Sequence, residues 1–273
     1  MTRLAIPFLC LCLAAPVAAL AQQVATPTLP PGLARVGILP GWRDPDGSRV
    51  AAIRIQLDPG WKTYWRVPGE AGIPPELDFT GSRNIAELQV IWPVPTVFDQ
   101  DGIRSVGYHD ALVLPIRIIP RDPTEPVMLD ASLDFGICRN ICVPVSTRLD
   151  ADLTGAGQPD AQIAQALEDV PVPRPGRARC TTEPVSDGTR VTARIDLPEG
   201  RDQIALFELR SSPMWVSESV MHREGGVLVA SADFVPDAAQ PFDLDRADLR
   251  ITVLGNPADG VAKAIEIDGC SDD

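Results

Sequence analysis

The sequence predicts an all-β protein composed of two units of short strands that are joined by a proline-rich linker. Three observations favour this fold class. Turn-forming residues are abundant, with 28 prolines and 21 glycines in 273 residues, whereas runs typical of long helices are few. Apolar and polar residues alternate with a period of two in many short segments, which is typical of strands with one buried face. Finally, residues 171–176 (PVPRPG) concentrate prolines between two such sets of strands.

Charge and the N-terminal segment restrict the function classes. The formal net charge of −13 at pH 7 argues against a nucleic-acid partner, because phosphate binding requires a basic surface. Residues 1–21 are typical of a cleaved secretory signal peptide, with a short apolar core and an ALA cleavage site before Gln22. Cleavage would remove Cys10 and Cys12 and leave four cysteines, and an even number in an exported protein predicts two disulfides. No later apolar stretch approaches about 18 residues, so we expect a soluble protein.

The first unit, residues 22–157, is predicted to consist of strands separated by turns. The early strands are expected at residues 36–40, 50–57, 87–92 and 111–118. The stretch 59–75 concentrates aromatic residues, glycines and prolines, and we interpret it as a structured turn whose tryptophans close one end of the core. Segment 95–105 is expected to be a loop, and Pro115 indicates an edge strand or a bulge.

Two longer alternating segments, 127–137 and 143–153, flank the three-residue turn 139–141 and predict a β-hairpin. Apart from Thr147, odd positions are apolar in both segments, so Cys138 and Cys142, at even positions, are expected on the exposed face. If the two cysteines pair across the hairpin, their Cα atoms lie about 4.5–5.5 Å apart, which a disulfide accepts.

A disulfide between these two cysteines would close a ring of only five residues. Such a ring constrains the unfolded chain by about 2 kcal/mol, so an exposed bond of this kind is better suited to exchange than to structural support. The adjacent Arg139 would favour the thiolate, which is the form that attacks disulfides. An ordinary structural disulfide remains an open alternative. Zinc is less favoured, because C-x3-C is not the usual ligand spacing and only His109 and His222 are present.

Residues 158–177 are predicted to contain a short helix, at 159–170, followed by the linker. The second unit, residues 178–273, again consists of alternating segments. Its strands are expected at residues 190–197, 203–209, 214–220, 227–234, 249–254 and 262–267. Cys180 and Cys270 bracket this unit, and a bond between them would close a ring of about 90 residues, worth about 4–5 kcal/mol. We therefore predict a structural role for this second pair.

Several rare residue clusters in the first unit occur in an order that resembles a known family. These clusters are 61–69 (WKTYWRVPG), 72–75 (GIPP), 92–95 (WPVP), 107–108 (GY), 114–115 (LP) and 138–144 (CRNICVP). Together they resemble the periplasmic N-terminal domain of the thiol:disulfide interchange protein DsbD, and still more its ScsB-type relatives, over residues 35–153. The spacing C-x3-C is shorter than in the best-known DsbD domains.

The resemblance implies an immunoglobulin-like β-sandwich whose two hairpin cysteines form the catalytic pair, followed by a second β-sandwich. It also implies a cap loop that shields the pair. The matching segment here is 98–105, with Phe98 or Ile103 as the shield and Asp99 as a proton handler. In such a relay, electrons pass from a membrane-embedded thiol reductase to periplasmic thioredoxin-like or disulfide-bonded proteins.

We therefore expect a periplasmic thiol-disulfide interchange protein, of the kind that serves as a component of protein-disulfide reductase systems, with no cofactor and no metal. Two other classes remain open. One is a non-catalytic exported binding module with two structural disulfides. The other is a copper chaperone, since paired thiolates suit Cu(I). Four methionines and the lack of a Met or His cluster in the sequence give the copper alternative little support.

Overall fold

The computed structural model describes residues 29–100, 102–212, 214–255 and 263–272. The predicted signal peptide, with Cys10 and Cys12, lies outside the described residues. Within them the chain forms twenty strands and one short helix, which confirms the prediction of an all-β fold. No helix in the described part is long and apolar enough to cross a membrane.

The chain divides into two successive sets of strands. The first set contains β1 (Leu33–Arg43), β2 (Arg49–Leu57), β3 (Lys62–Gly69), β4 (Glu76–Asp78), β5 (Ile85–Val90), β6 (Thr96–Gln100), β7 (Ile103–His109), β8 (Ala111–Pro120), β9 (Val127–Cys138) and β10 (Cys142–Leu153). Helix α1 (Ala161–Glu168) follows. The second set contains β11 (Val172–Pro173), β12 (Ala178–Pro184), β13 (Thr189–Ile195), β14 (Ile204–Leu209), β15 (Trp215–Val216), β16 (Val220–Glu224), β17 (Val227–Val235), β18 (Leu249–Leu254), β19 (Ala264–Asp268) and β20 (Ser271–Asp272).

Strands β1–β10 form a sandwich of two antiparallel sheets. The strand orders are β1-β2-β8-β5 and β10-β9-β3-β7-β6, with β4 beside β9. Apolar side chains from both sheets enclose one core, and the largest of them is Trp65, which is 0% exposed. The alternation read from the sequence explains this core, since the odd positions of β9 from Val127 to Ile137 are all buried.

Strand β3 corrects the interpretation of residues 59–75 as a turn. It is an interior strand between β9 and β7, with Trp65 in the core and Tyr64 on the opposite face. Tyr64 is nevertheless buried, because the following segment folds back over that face. A Cβ atom at Gly72 would lie 2.8 Å from the Tyr64 ring, and one at Gly136 would lie 2.7 Å from Cβ of Ile73. Both faces of β3 are therefore covered, which accounts for its aromatic content.

Three other sequence predictions are also wrong in their local structure. Segment 95–105 is largely a hairpin of β6 and β7 instead of a loop. Pro115 lies in β8, an interior strand, where its carbonyl accepts the N–H of Ile91 just past the end of β5. The strand expected at 214–220 is two short strands, β15 and β16, which pair with β17 on either side of a break.

Strands β11–β20 form two further sheets around a second core. The strand orders are β11-β19-β18-β14 and β15-β17-β13-β12-β20, with β16 beside β17. Phe207 and Phe234 meet edge to face in this core, with ring centroids 6.4 Å apart. Residues 172–173, which the sequence assigned to the linker, pair as β11 with β19. The proline-rich segment is thus partly integrated into the second set of sheets.

Helix α1 lies within the segment where a short helix was predicted. Asp160 caps its N-terminus, since the carboxylate accepts the N–H groups of Gln162 and Ile163 at 2.8 and 3.3 Å. Ile163 is fully buried and packs against Val50 and Ala52 on the outer face of the first sheet. The helix therefore covers a sheet face that would otherwise expose apolar residues.

The two halves are in contact through an ion-pair network on β3. The Arg66 guanidinium bonds Glu208 of β14 at 2.7 Å and Glu266 of β19 at 2.6 Å, and it lies 4.1 Å from the Trp65 ring centroid. Leu254 of the second half packs into the first core. The two halves thus share contacts, and their division into separate domains at 157 and 178 stays a prediction.

Candidate functional site

The hairpin of β9 and β10 carries the first disulfide. Cys138 pairs directly with Cys142 across the hairpin, Ile137 faces Val143, and Phe135 faces Val145, which is the predicted register. The two cysteines form a disulfide with a Cα–Cα distance of 4.2 Å. The turn residues project beyond the sheet, and Ile141 at the tip is 65% exposed.

The two cysteines differ in exposure, which corrects the prediction that both lie on an exposed face. Cys142 is exposed, whereas Cys138 is only 2% exposed. The reason is their position in the sheet, since β10 is an edge strand and β9 is an interior strand beside β3. On the face that carries Cys138, the neighbouring Gly136 is covered by Ile73. Sequence alternation could not reveal this cover, because it comes from a distant segment of the chain.

Tyr64 is a site residue that the sequence reasoning did not identify. Its hydroxyl lies 3.6 Å from Sγ of Cys142, within hydrogen-bonding distance for sulfur. Burial raises the pKa of Tyr64, so the phenol stays protonated at neutral pH and can donate to a thiolate. Next to it, the Thr63 hydroxyl donates to the Gly136 carbonyl at 2.9 Å and ties β3 to β9. The signal for Tyr64 was its place in the aromatic cluster, but its contact with Cys142 depends on long-range strand pairing.

Lys62 continues the row of side chains across the same face. It lies directly opposite Cys138 in the pairing of β3 with β9, and opposite His109 in the pairing of β3 with β7. Its ammonium donates to Oγ of Ser105 at 3.1 Å and sits 5.1 Å from the Phe98 ring centroid. Partial burial lowers the pKa of Lys62. The row therefore runs from the exposed Cys142 through Cys138 and Lys62 to the ring of Phe98.

The expected cap residues lie on the β6–β7 hairpin. Phe98 is half-buried and packs edge to face on His109, with ring centroids 4.4 Å apart. Ile103 is 49% exposed near the hairpin turn. The Asp99 carboxylate accepts the N–H of Gly102 at 3.1 Å and so stabilises that turn. The structure brings Phe98 to the face that carries the cysteines, beside Lys62, and the roles of all three cap residues stay predictions.

The second disulfide joins Cys180 to Cys270. The Cα–Cα distance is 5.8 Å and the bond spans 90 positions of the chain. Cys180 is 1% exposed and belongs to the second core, while Cys270 is partly buried against it. The structural role of this disulfide stays a prediction. No group of three or more potential metal ligands occurs among the described residues.

Comparisons with known proteins found a matching family and a similar fold. Residues 36–154 match the family described as the N-terminal domain of the thiol:disulfide interchange protein DsbD. Among solved structures, the N-terminal periplasmic domain of ScsB from Proteus mirabilis has a similar fold, with a TM-score of 0.60 and 23% sequence identity. That likeness covers 85% of this chain and 91% of the ScsB chain, so it extends into the second half. A comparison with curated proteins found no match.

Proposed function

We propose that this chain is a periplasmic thiol-disulfide interchange protein, because residues 36–154 match the family of DsbD N-terminal domains. In this proposal the Cys138–Cys142 pair relays electrons from a membrane-embedded thiol reductase to periplasmic thioredoxin-like or disulfide-bonded proteins. The observation that carries the proposal is the unequal exposure of the two sulfurs in a disulfide whose partners are only four positions apart.

The unequal exposure selects the sulfur at which exchange begins. A partner thiolate attacks Sγ of Cys142, because that residue is exposed and Cys138 is 2% exposed. The bond from the partner to Cys142 forms while the Cys138–Cys142 bond breaks, and its electron pair leaves on the Cys138 sulfur. The second thiolate of the partner then attacks the partner's own sulfur in the mixed disulfide and releases Cys142 as a thiolate. Two electrons are transferred, the partner becomes a disulfide, and two protons are taken up to give the dithiol.

Tyr64 supports the second step. Its hydroxyl, 3.6 Å from Sγ of Cys142, can donate a hydrogen bond to the departing thiolate. A stabilised thiolate is a better leaving group, so the mixed disulfide resolves faster. Loss of the hydroxyl in a Tyr64→Phe variant should therefore slow resolution and leave the disulfide itself intact.

The test is covalent capture by single-cysteine variants. Cys138→Ser leaves the exposed Cys142 and should form mixed disulfides with thioredoxin-like or membrane-embedded thiol proteins from a combined periplasmic and membrane extract. Cys142→Ser leaves only the buried Cys138 and should capture far less. The variant lacking both cysteines is the control for adducts at other positions, and circular dichroism checks that each variant is folded.

The outcome also decides between the relay and a non-catalytic binding module. Adducts on non-reducing gels, identified by mass spectrometry, would name the partners. If neither single-cysteine variant captures a protein, the interchange proposal is wrong, and a structural role for both disulfides takes its place.

A further inference from the structure

Lys62 is an unusual residue in this chain. The sequence holds 24 lysine and arginine residues, and only two of them, Lys62 and Lys263, are lysines. Lys263 is exposed and pairs with Asp169 at 3.0 Å, as is typical of a surface lysine. Lys62 is instead partly buried, and its position opposite Cys138 puts both side chains on one face of the sheet.

The ammonium of Lys62 makes no salt bridge with a carboxylate of the described residues. Its contacts are Oγ of Ser105 at 3.1 Å and the Phe98 ring at 5.1 Å from the centroid. Burial is the cause that lowers its pKa. A partly desolvated cation without a counter-ion is costly, so its presence beside a disulfide requires an explanation.

The other titratable groups around this face do not supply a counter-ion. His109 is exposed and packs edge to face on Phe98. Tyr64 faces Cys142 on the edge strand. The Asp110 carboxylate accepts the backbone N–H of Gly60 at 3.1 Å. Arg139 lies in the exposed hairpin turn, and its guanidinium, a second positive charge, is close to Gly60.

We infer that Lys62 is the counter-ion of the thiolate that forms at Cys138 when the disulfide opens, an inference that rests on the proposed interchange. Attack at Cys142 sends the electron pair of the broken bond to the buried Cys138 sulfur, where an uncompensated negative charge is unfavourable. The flexible four-carbon stem lets the Lys62 ammonium turn from Ser105 of β7 towards β9 and donate to that sulfur. The counter-ion that Lys62 lacks in the oxidised protein is thus produced by the reaction.

The first test follows Lys62 itself. Because the chain has two lysines, 13C-labelled lysine gives two side-chain signals, which a Lys263→Met variant assigns. Their pKa values are compared in the oxidised protein and in Cys142→Ser, where Cys138 is free and the second disulfide is intact. The pKa of Lys62 should rise by about 1 unit or more, as for an opposite charge within a few ångströms, while Lys263 should not shift. An unchanged Lys62 would overturn the inference.

The second test measures the Cys138 thiol. In the Cys142→Ser background, thiolate absorbance near 240 nm is recorded against pH, with the variant lacking both hairpin cysteines as the blank. Lys62→Met should raise the pKa of Cys138 by about 1–3 units. Lys62→Arg keeps the charge, so the pKa of Cys138 should stay close to its value with Lys62 present. Lys263→Met should leave the pKa of Cys138 unchanged. If the pKa of Cys138 is the same in Lys62→Met and Lys62→Arg, whether shifted or not, Lys62 has only a packing role.

Neither measurement needs a partner protein, so the two proposals can fail separately. The Cys138→Ser variant has no sulfur at position 138 for Lys62 to stabilise. Capture by its Cys142 therefore tests the interchange independently of Lys62. Capture without the shifts in pKa would overturn the role of Lys62 alone. The shifts without capture would leave the Lys62–thiolate pair in place and overturn the interchange.

Discussion

Replacement of Arg66 by methionine tests how the second half supports the strand that carries the site. Methionine retains an apolar stem over Trp65 and removes the charge that bonds Glu208 and Glu266. Leaving one partner of a buried ion pair uncompensated costs about 3–5 kcal/mol. The three side chains are between 13% and 21% exposed, so solvent offsets part of this penalty. We therefore expect the free energy of unfolding to fall by about 2–3 kcal/mol near pH 7.5.

The loss should depend on pH, and its sign follows from Glu208. Burial raises the pKa of Glu208 above its ordinary value of 4.5, and Arg66 opposes this effect. Removal of Arg66 therefore raises the pKa further. A carboxyl group whose pKa is raised by folding contributes stability below its unfolded pKa, and this contribution is lost as the pH rises through the folded value. The Arg66→Met variant should approach wild-type stability near pH 4.5 and fall increasingly behind it towards neutral pH.

Urea unfolding followed by tryptophan fluorescence measures this difference, since Trp65 lies directly under the guanidinium. The control is Arg104→Met, because Arg104 pairs with Glu218 between the same two halves but with side chains 40% and 38% exposed. That surface pair should contribute about 0–1 kcal/mol. If Arg66→Met lowers the free energy of unfolding by less than about 1 kcal/mol near pH 7.5, or by the same amount at pH 4.5 and pH 7.5, the reasoning is refuted.

Four further predictions concern the cover of the site, the two disulfides and the N terminus. Gly136→Ala should displace Ile73, since the added Cβ would lie 2.7 Å from it, and should speed reduction of the hairpin disulfide by dithiothreitol; an unchanged rate would show that this cover does not limit access. Cys180→Ser should lower the free energy of unfolding by about 4–5 kcal/mol in denaturant titrations, because the unfolded chain loses its long ring. Thiol labelling under mild reductant should mark the hairpin cysteines before this pair, and simultaneous labelling would contradict the assigned roles. Intact mass of the exported protein should correspond to a chain that begins at Gln22, and a mass that includes residues 1–21 would contradict the predicted cleavage.

The sequence could predict the strands whose pattern is local. The hairpin register was readable because apolar residues alternate on both sides of a short turn, so Ile137 had to face Val143. The disulfide pairing followed from the same register for the first pair, and for Cys180 and Cys270 from their positions at the two ends of the second unit.

What the sequence could not predict depends on contacts between distant segments. Cys138 has the alternation of an exposed residue, yet it is buried because β3 and the segment after it cover its side of β9. For the same reason Tyr64 and Lys62 were read as parts of a turn, although strand pairing places them beside the cysteines. Segment 95–105 was read as a loop because it mixes apolar and acidic residues, whereas most of it pairs as the β6–β7 hairpin.

The burial of Cys138 beside an exposed Cys142 has a kinetic consequence. In the proposed relay, only one sulfur is accessible, so an electron donor and an electron acceptor would each have to bind at Cys142, and a ternary complex of all three proteins could not form. Turnover with two soluble partners should therefore follow ping-pong kinetics, with parallel lines in double-reciprocal plots. Either partner in excess should inhibit turnover, because it then also binds the redox form of this protein with which it does not exchange electrons. The rate of such a relay is then set by how quickly each product complex dissociates and frees the same surface for the next partner.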